Sequence, residues 1–160
     1  MGREIERKFL LKNSNWQSQS GPGHNLRQGY FAAPEDVSRQ RASIRVRTDG
    51  DKGYINIKSY ELGVSRQEFE YPIPLQDAEH MLDTLCEPPL IEKTRYHVHH
   101  DKHVWEVDVF HGDNDGLTVA EIELEHEDEA FAKPNWIGEE VSNDTRYYNV
   151  CLVRHPYKDW

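Results

Sequence analysis

The segment Arg3-Glu4-Ile5-Glu6-Arg7-Lys8 puts Glu4, Glu6 and Lys8 on one side of an extended chain, because side chains two apart on a strand share a face. Ile5, Phe9, Leu10 and Leu11 supply apolar character around them. Two carboxylates in line repel each other unless cations sit between them. The pattern then recurs. Arg45 and Arg47 share a face, with Ile44 and Val46 opposite; Glu68 and Glu70 are backed by Phe69 and Tyr71. Lys93, Arg95 and His97 align, as do Glu106 with Asp108 and Glu121 with Glu123 and Glu125. Lys58 lies with Asn56, opposite Ile55 and Ile57. Strand after strand thus carries one ionic and one apolar face.

A solvated outer face is the simplest account of any single charge row. It fits the set poorly, because solvated strands favour Thr and Ser and these rows hold few of either. Like charges two apart also cost energy unless an opposing row or a ligand compensates them. Closing the sheet resolves the conflict. The expected fold is mainly β (α+β): an eight-stranded antiparallel barrel, its charged faces lining a tunnel and its apolar faces covered by a few outer helices. The chain of 160 residues suits a single domain, 1–160.

The strands are placed as follows. Leu26–Ala32 follows a polar stretch from Lys12 to Asn25, and Ser43–Thr48 is joined to Gly53–Ser59 by Asp49-Gly50-Asp51-Lys52, a hairpin signal. Arg66–Ile73 stops at Pro74. Leu75–Cys86 is the clear helix, with Leu75, Ala78, Met81, Leu82 and Leu85 at helical spacing and Pro88-Pro89 beyond it. Ile91–His99 and Val104–Phe110 form a second hairpin, and Leu117–Glu125 is a further strand. Short helices are expected at Glu127–Ala132 and at Tyr147–Val153, the latter with Asn143 or Asp144 near its cap.

Net charge −10 disfavours general nucleic-acid binding, which needs a basic surface. It leaves room for a small polyanion, since local arrangement matters more than the sum. Cys86 and Cys151 lie far apart and outside any Cys-x-x-Cys pattern, as expected of a reduced cytoplasmic protein. No apolar run approaches membrane-spanning length, and the charged start does not read as a leader. A soluble cytoplasmic protein, monomer or homodimer, with no membrane partner is the expectation.

Inward Arg and Lys suit a multiply charged oxyanion, because guanidinium matches phosphate bidentately. Carboxylate rows without thiolates suit Mg²⁺ or Mn²⁺, which bridge phosphate oxygens. The residues therefore point to a metal-dependent hydrolase or cyclase acting on a linear polyphosphate.

The start Glu4-Ile5-Glu6-Arg7-Lys8 resembles the ExExK signature of the CYTH family, also called triphosphate tunnel metalloenzymes. The similarity extends over nearly the whole chain. It runs through Ile44-Arg45-Val46-Arg47, Ile57-Lys58-Ser59, Arg66-Gln67-Glu68-Phe69-Glu70, Glu92-Lys93-Thr94-Arg95, Glu106-Val107-Asp108, Glu121-Ile122-Glu123 and Gly138-Glu139-Glu140-Val141. The short bacterial inorganic triphosphatases are the most similar members. The resemblance implies that Lys8, Arg45, Arg47, Lys58, Lys93 and Arg95 grip the phosphates. It implies that Glu4, Glu6, Glu121 and Glu123 ligate Mg²⁺ or Mn²⁺, with Asp108 nearby, and that Glu68 and Glu70 orient the basic rows. Lys58, Tyr30, Glu4 and Glu6 are the implied catalytic set, Tyr30 lying close to Lys58 and favouring tripolyphosphate over nucleotides. A class IV type adenylyl cyclase, a thiamine triphosphatase and a non-catalytic polyphosphate-binding module remain alternatives.

Other features read as structural. His97, His99, His100 and His103 suit a solvated hairpin tip, Asp113-Asn114-Asp115-Gly116 a turn rather than a calcium loop, and Trp136 and Trp160 packing. Arg146 suits either the tunnel end or a helix cap.

Overall fold

The computed structural model describes residues 2–160, and its strands close on themselves. They are β1 (Gly2–Leu11), β2 (His24–Tyr30), β3 (Ala42–Asp49), β4 (Lys52–Ser59), β5 (Ser65–Ile73), β6 (Ile91–His100), β7 (His103–Phe110), β8 (Thr118–Glu123) and β9 (Ile137–Glu140). The order runs β5-β4-β3-β2-β6-β7-β8-β1, and a β5–β1 pairing completes a closed, eight-stranded antiparallel barrel. Alternation makes this closure favourable: one face of most strands is apolar and must be covered, while the other is ionic and needs partners.

Strand β1 is the closing seam. Its Gly2–Ile5 half pairs with β5, and Glu6–Leu10 pairs with β8 on its other edge. Where β5 ends, β9 takes over that edge at Phe9 and Leu11. The Arg7 guanidinium pins this ninth strand from outside, at 2.6 Å from Glu140 and 5.4 Å from the Phe131 ring. Nothing in the four residues of β9 alternates strongly enough to announce a strand; pairing on an open edge makes it one.

Apolar residues gather in three clusters. Outside β1, β6, β7 and β8, Phe9, Trp105, Phe131 and Trp136 pack edge to face, with ring centroids 5.5 to 6.0 Å apart. Trp16, from a 3₁₀ turn at Asn15–Gln19, joins the same cluster. Much of the cover here is therefore irregular chain and a 3₁₀ turn. Residues Glu127–Ala132 form no helix, and Phe131 is tied down by its aromatic neighbours instead. On the other side, α1 (Leu75–Thr84) lays Ala78 and Leu82 on Val46 of β3. Gly53 permits that approach, since a Cβ there would stand 2.8 Å from the Ala78 Cβ. The helix stops before Leu85, which is exposed.

The third cluster lies at one end of the barrel. Strand positions in phase with the ionic rows become apolar there: Tyr30, Ile91, Phe110 and Val119 meet Val150, Leu152 and Val153. These last come from α2 (Asn149–Arg154), which follows a 3₁₀ turn at Thr145–Tyr147 capped by the Asp144 carboxylate. The turn 112–116 is a 3₁₀ bend whose Asn114 side chain accepts from the Tyr157 N–H at 2.8 Å, anchoring the C-terminal residues. Among the described residues no helix is long and apolar enough to cross a membrane.

Because α1 sits wholly outside the barrel, Leu82→Ala should cost about 3 kcal/mol through the cavity it leaves. Urea unfolding checks this, and anion affinity in the lumen should not change.

Candidate active site

The lumen is a cavity of about 940 Å³ into which most of the ionic rows project. Antiparallel register decides which charges meet. Glu6 faces Glu123 and Lys8 faces Glu121 across β1 and β8, while Glu121 also faces Glu106 on β7. On the opposite wall, Arg45 and Arg47 of β3 stand beside Asn56 and Tyr54 of β4. Lys93 and Arg95 of β6 complete the basic side, with Arg95 opposite Asp108.

Asp108 has no exposed surface, and its two oxygens are taken: Lys93 Nζ lies 2.6 Å from one, and Arg95 grips both at 2.7 and 2.8 Å. Expected near a metal, Asp108 instead holds two phosphate-gripping candidates in place. Burial opposes its ionisation, but Arg95 and Lys93 outweigh that and keep its pKa below the ordinary value. Burial pulls the Lys93 ammonium down to about 8, with Asp108 opposing.

The acidic wall is strained in the opposite sense. Enclosure, then the charges of Glu121 and Glu4, push the Glu6 pKa well above its usual range. Burial and the neighbouring Glu4 and Glu106 raise Glu123 as well. Glu121 is also buried, yet Lys8, Arg95 and Lys93 draw it well below the usual range. As the side chains stand, no three acidic or histidine groups among the described residues converge into a formed cation site. Glu4 is turned onto Lys58 at 3.0 Å and faces Arg66 at 3.8 Å. The donor set nevertheless suits a hard divalent cation: carboxylate oxygens from β1 and β8, crowded enough to hold one carboxyl toward its neutral form.

Arg45 is the counterpart on the basic wall. It is 8% exposed, and among the described residues no carboxylate lies within ion-pair distance of it. Neither its Nε nor that of Arg47 finds a hydrogen-bond partner among the described residues. Arg47 has one carboxylate, Glu70, at 3.3 Å.

Lys58 lies between the walls, held by Glu4 at 3.0 Å and by Glu68 at 3.5 Å. Tyr30 does not accompany it. The Tyr30 ring packs in the apolar end cluster, its hydroxyl accepts from Gln28 Nε2 at 3.3 Å, and its cross-strand neighbour is Arg45. Being at the far end of β2 puts Tyr30 beside Arg45, two strands from Lys58. Glu68 and Glu70 are bridged by the Asn56 amide, which donates to both.

The histidines separate. His97 faces the lumen with Glu106 3.6 Å away, whereas His103 is 2.7 Å from Glu129 on the outside. Arg146 is exposed at the rim, paired with Asp144 at 2.7 Å and lying over Trp160 and Tyr147. Two lumen groups escape a reading of charge rows. Arg66 is recognisable only as in line with Glu68, and register alone sets it against Glu4. Asn149, at the start of α2, reaches Lys93 at 3.3 Å and carries no sequence signal.

A closed barrel with acidic and basic walls facing across one cavity defines a β-tunnel with an ionic lumen. The CYTH domain model matches residues 2–155, and the chain belongs to that family. It is 46% identical over 160 residues to an inorganic triphosphatase of Acetivibrio thermocellus, covering 100% of this chain and 99% of the relative. It is 40% identical to an inorganic triphosphatase of Nitrosomonas europaea, over 94% of this chain and 96% of the relative. A crystal structure of an inorganic triphosphatase superposes with TM-score 0.63 at 36% identity, covering 94% of this chain and 93% of that one.

Replacing Asp108 by Asn leaves two buried cations without their shared counter-charge. The expected cost is about 3 kcal/mol of stability, seen by urea unfolding with chelator present. Unchanged stability under those conditions would return Asp108 to the metal-ligand role.

Proposed function

We propose that this chain is a metal-dependent inorganic triphosphatase that hydrolyses tripolyphosphate to pyrophosphate and phosphate. The observation that carries the reading is Arg45, a buried guanidinium without a carboxylate partner among the described residues, beside Arg47 in a lumen large enough for a short polyanion. An unpaired buried cation is costly, and an oxyanion offering several lone pairs relieves it. The two relatives named as inorganic triphosphatases support the same reading.

Arg45, Arg47, Lys93 and Arg95 from the basic wall and Lys8 from β1 would grip the phosphate chain and neutralise the charge that develops as the bridging P–O bond lengthens. Asp108 would keep Lys93 and Arg95 aimed and charged. Glu4, Glu6, Glu121 and Glu123 would hold Mg²⁺ or Mn²⁺, Glu4 releasing Lys58 to do so. When bound, the divalent ion supplies Lewis-acid polarisation of the phosphoryl oxygens and relieves the repulsion between the carboxylates. Lys58, at the border of the two walls, would then turn its ammonium to the reacting phosphoryl group. Water adds to a terminal phosphorus, the bridging bond breaks, and phosphate and pyrophosphate leave with the proton lost to solvent. Tyr30 would act through Arg45, fixing where the outermost phosphate stops.

Phosphate release from tripolyphosphate, ATP and thiamine triphosphate, with cyclic AMP followed in parallel, tests the substrate. Tripolyphosphate should be turned over fastest, and faster turnover of ATP or formation of cyclic AMP would overturn the assignment. Excess EDTA should abolish activity. Lys58→Ala and Glu123→Ala should each lower kcat by about 10²–10³ with the fold intact; wild-type turnover in either variant would remove that residue from its role.

A further inference from the structure

Three consecutive residues of the C-terminal segment touch three lumen cations drawn from three different strands. The Tyr147 carbonyl accepts from Lys8 Nζ of β1 at 3.1 Å. The Arg66 guanidinium of β5 lies 5.4 Å from the centre of the Tyr148 ring. The Asn149 Oδ1 accepts from Lys93 Nζ of β6 at 3.3 Å. Lys8 and Lys93 are also the most enclosed lysines of the lumen, at 7% and 2% exposure.

Each of these two ammonium groups is held from two sides. A carboxylate lies beneath, Glu121 at 3.5 Å from Lys8 and Asp108 at 2.6 Å from Lys93, and an acceptor of the C-terminal segment lies on the other side. A lysine ammonium has three donors and no acceptor. On Lys93 both contacts are hydrogen bonds, so one N–H is left and its direction is set by the other two. The segment itself is firmly seated: Val150, Leu152 and Val153 pack into the apolar end of the barrel, and the Tyr148 hydroxyl donates to the Ser142 carbonyl at 3.2 Å.

We propose that Asn149 is a positioning residue for this site: its side-chain oxygen orients the Lys93 ammonium so that the remaining N–H points at the bound phosphate chain. The inference rests on the reading of Lys93 as a phosphate ligand. Asn149 needs no contact with the reacting atoms. Its effect is transmitted through one hydrogen bond, from a segment that lies outside the barrel strands. Asn is suited to the place because a neutral acceptor directs the ammonium without adding a charge that would compete with the oxyanion.

The test combines steady-state kinetics with NMR of protein carrying ¹⁵N at lysine Nζ. In the substrate-free protein, Lys93 should give a solvent-protected ammonium signal, identified by its disappearance in Lys93→Met. Asn149→Ala should broaden that signal into solvent exchange. It should also raise KM for tripolyphosphate on the order of tenfold while kcat changes much less. Asn149→Asp, which keeps an acceptor at the same atom, should retain the signal. Should the alanine variant unfold, Asn149→Ser, too short to reach Lys93, serves in its place with the same expectations. A wild-type signal and KM in the variant lacking the acceptor would overturn the inference while leaving the triphosphatase reading intact. A wild-type KM in Lys93→Met would instead remove Lys93 from phosphate binding, and the reading on which the inference rests would fall with it.

Discussion

Enclosed charge has to be matched, and this barrel depends on how its lumen meets that requirement. Withdrawing a carboxylate or an ammonium from water costs several kcal/mol, which only close, well-oriented partners offset. Around the ring the matches are specific. Asp108 serves Lys93 and Arg95, Glu4 and Glu68 serve Lys58, and Asn56 bridges Glu68 and Glu70. The groups left over are of both signs. Arg45 lacks a carboxylate among the described residues, and Glu6 is crowded by Glu121 and Glu4. A structure that pairs most of its lumen charges yet leaves a guanidinium and crowded carboxylates in one cavity is prepared for ligands of both signs.

The scaffold tolerates this because two of the three apolar clusters lie in a layer apart from the lumen. Edge-to-face aromatics around Trp105 and the seat of α1 on Val46 lie outside the barrel wall. Strand β1 joins the layers: its inward side carries Glu4, Glu6 and Lys8, while Phe9 packs outward and its edges meet β5, β8 and β9. Any loosening of β1 would therefore open the ring and disperse the charges together.

Much of this was legible along the chain. Period-two alternation marks which side chains share a face, so the charge rows and most strands could be located before any fold was known. Hairpin turns and prolines placed their ends to within a few residues. Where reading failed, a longer-range contact decided. Residues 127–132 have helical composition but no apolar stripe to dock, and Phe131 settles among aromatics instead. Strand β9 exists because β1 has a free edge where β5 ends. Asp108 shares the periodicity of the metal-ligand candidates, yet cross-strand register puts it beneath Lys93 and Arg95. Tyr30 shares a face with Gln28, and its height along β2 set it against Arg45 and away from Lys58.

Alternation of charge and oil is a local property, written residue by residue, and it suffices to demand a sheet with one ionic face and one buried face. Which ionic groups become partners is another matter. Pairing depends on how far each strand slides against its neighbours when the ring closes, and on the C-terminal segment that enters from outside the ring. No window of sequence contains those distances. The chain's own pattern thus called for an ionic interior; closure chose Asp108 as a counter-ion and left Arg45 without one among the described residues, and the docked C-terminal segment brought Asn149 to Lys93.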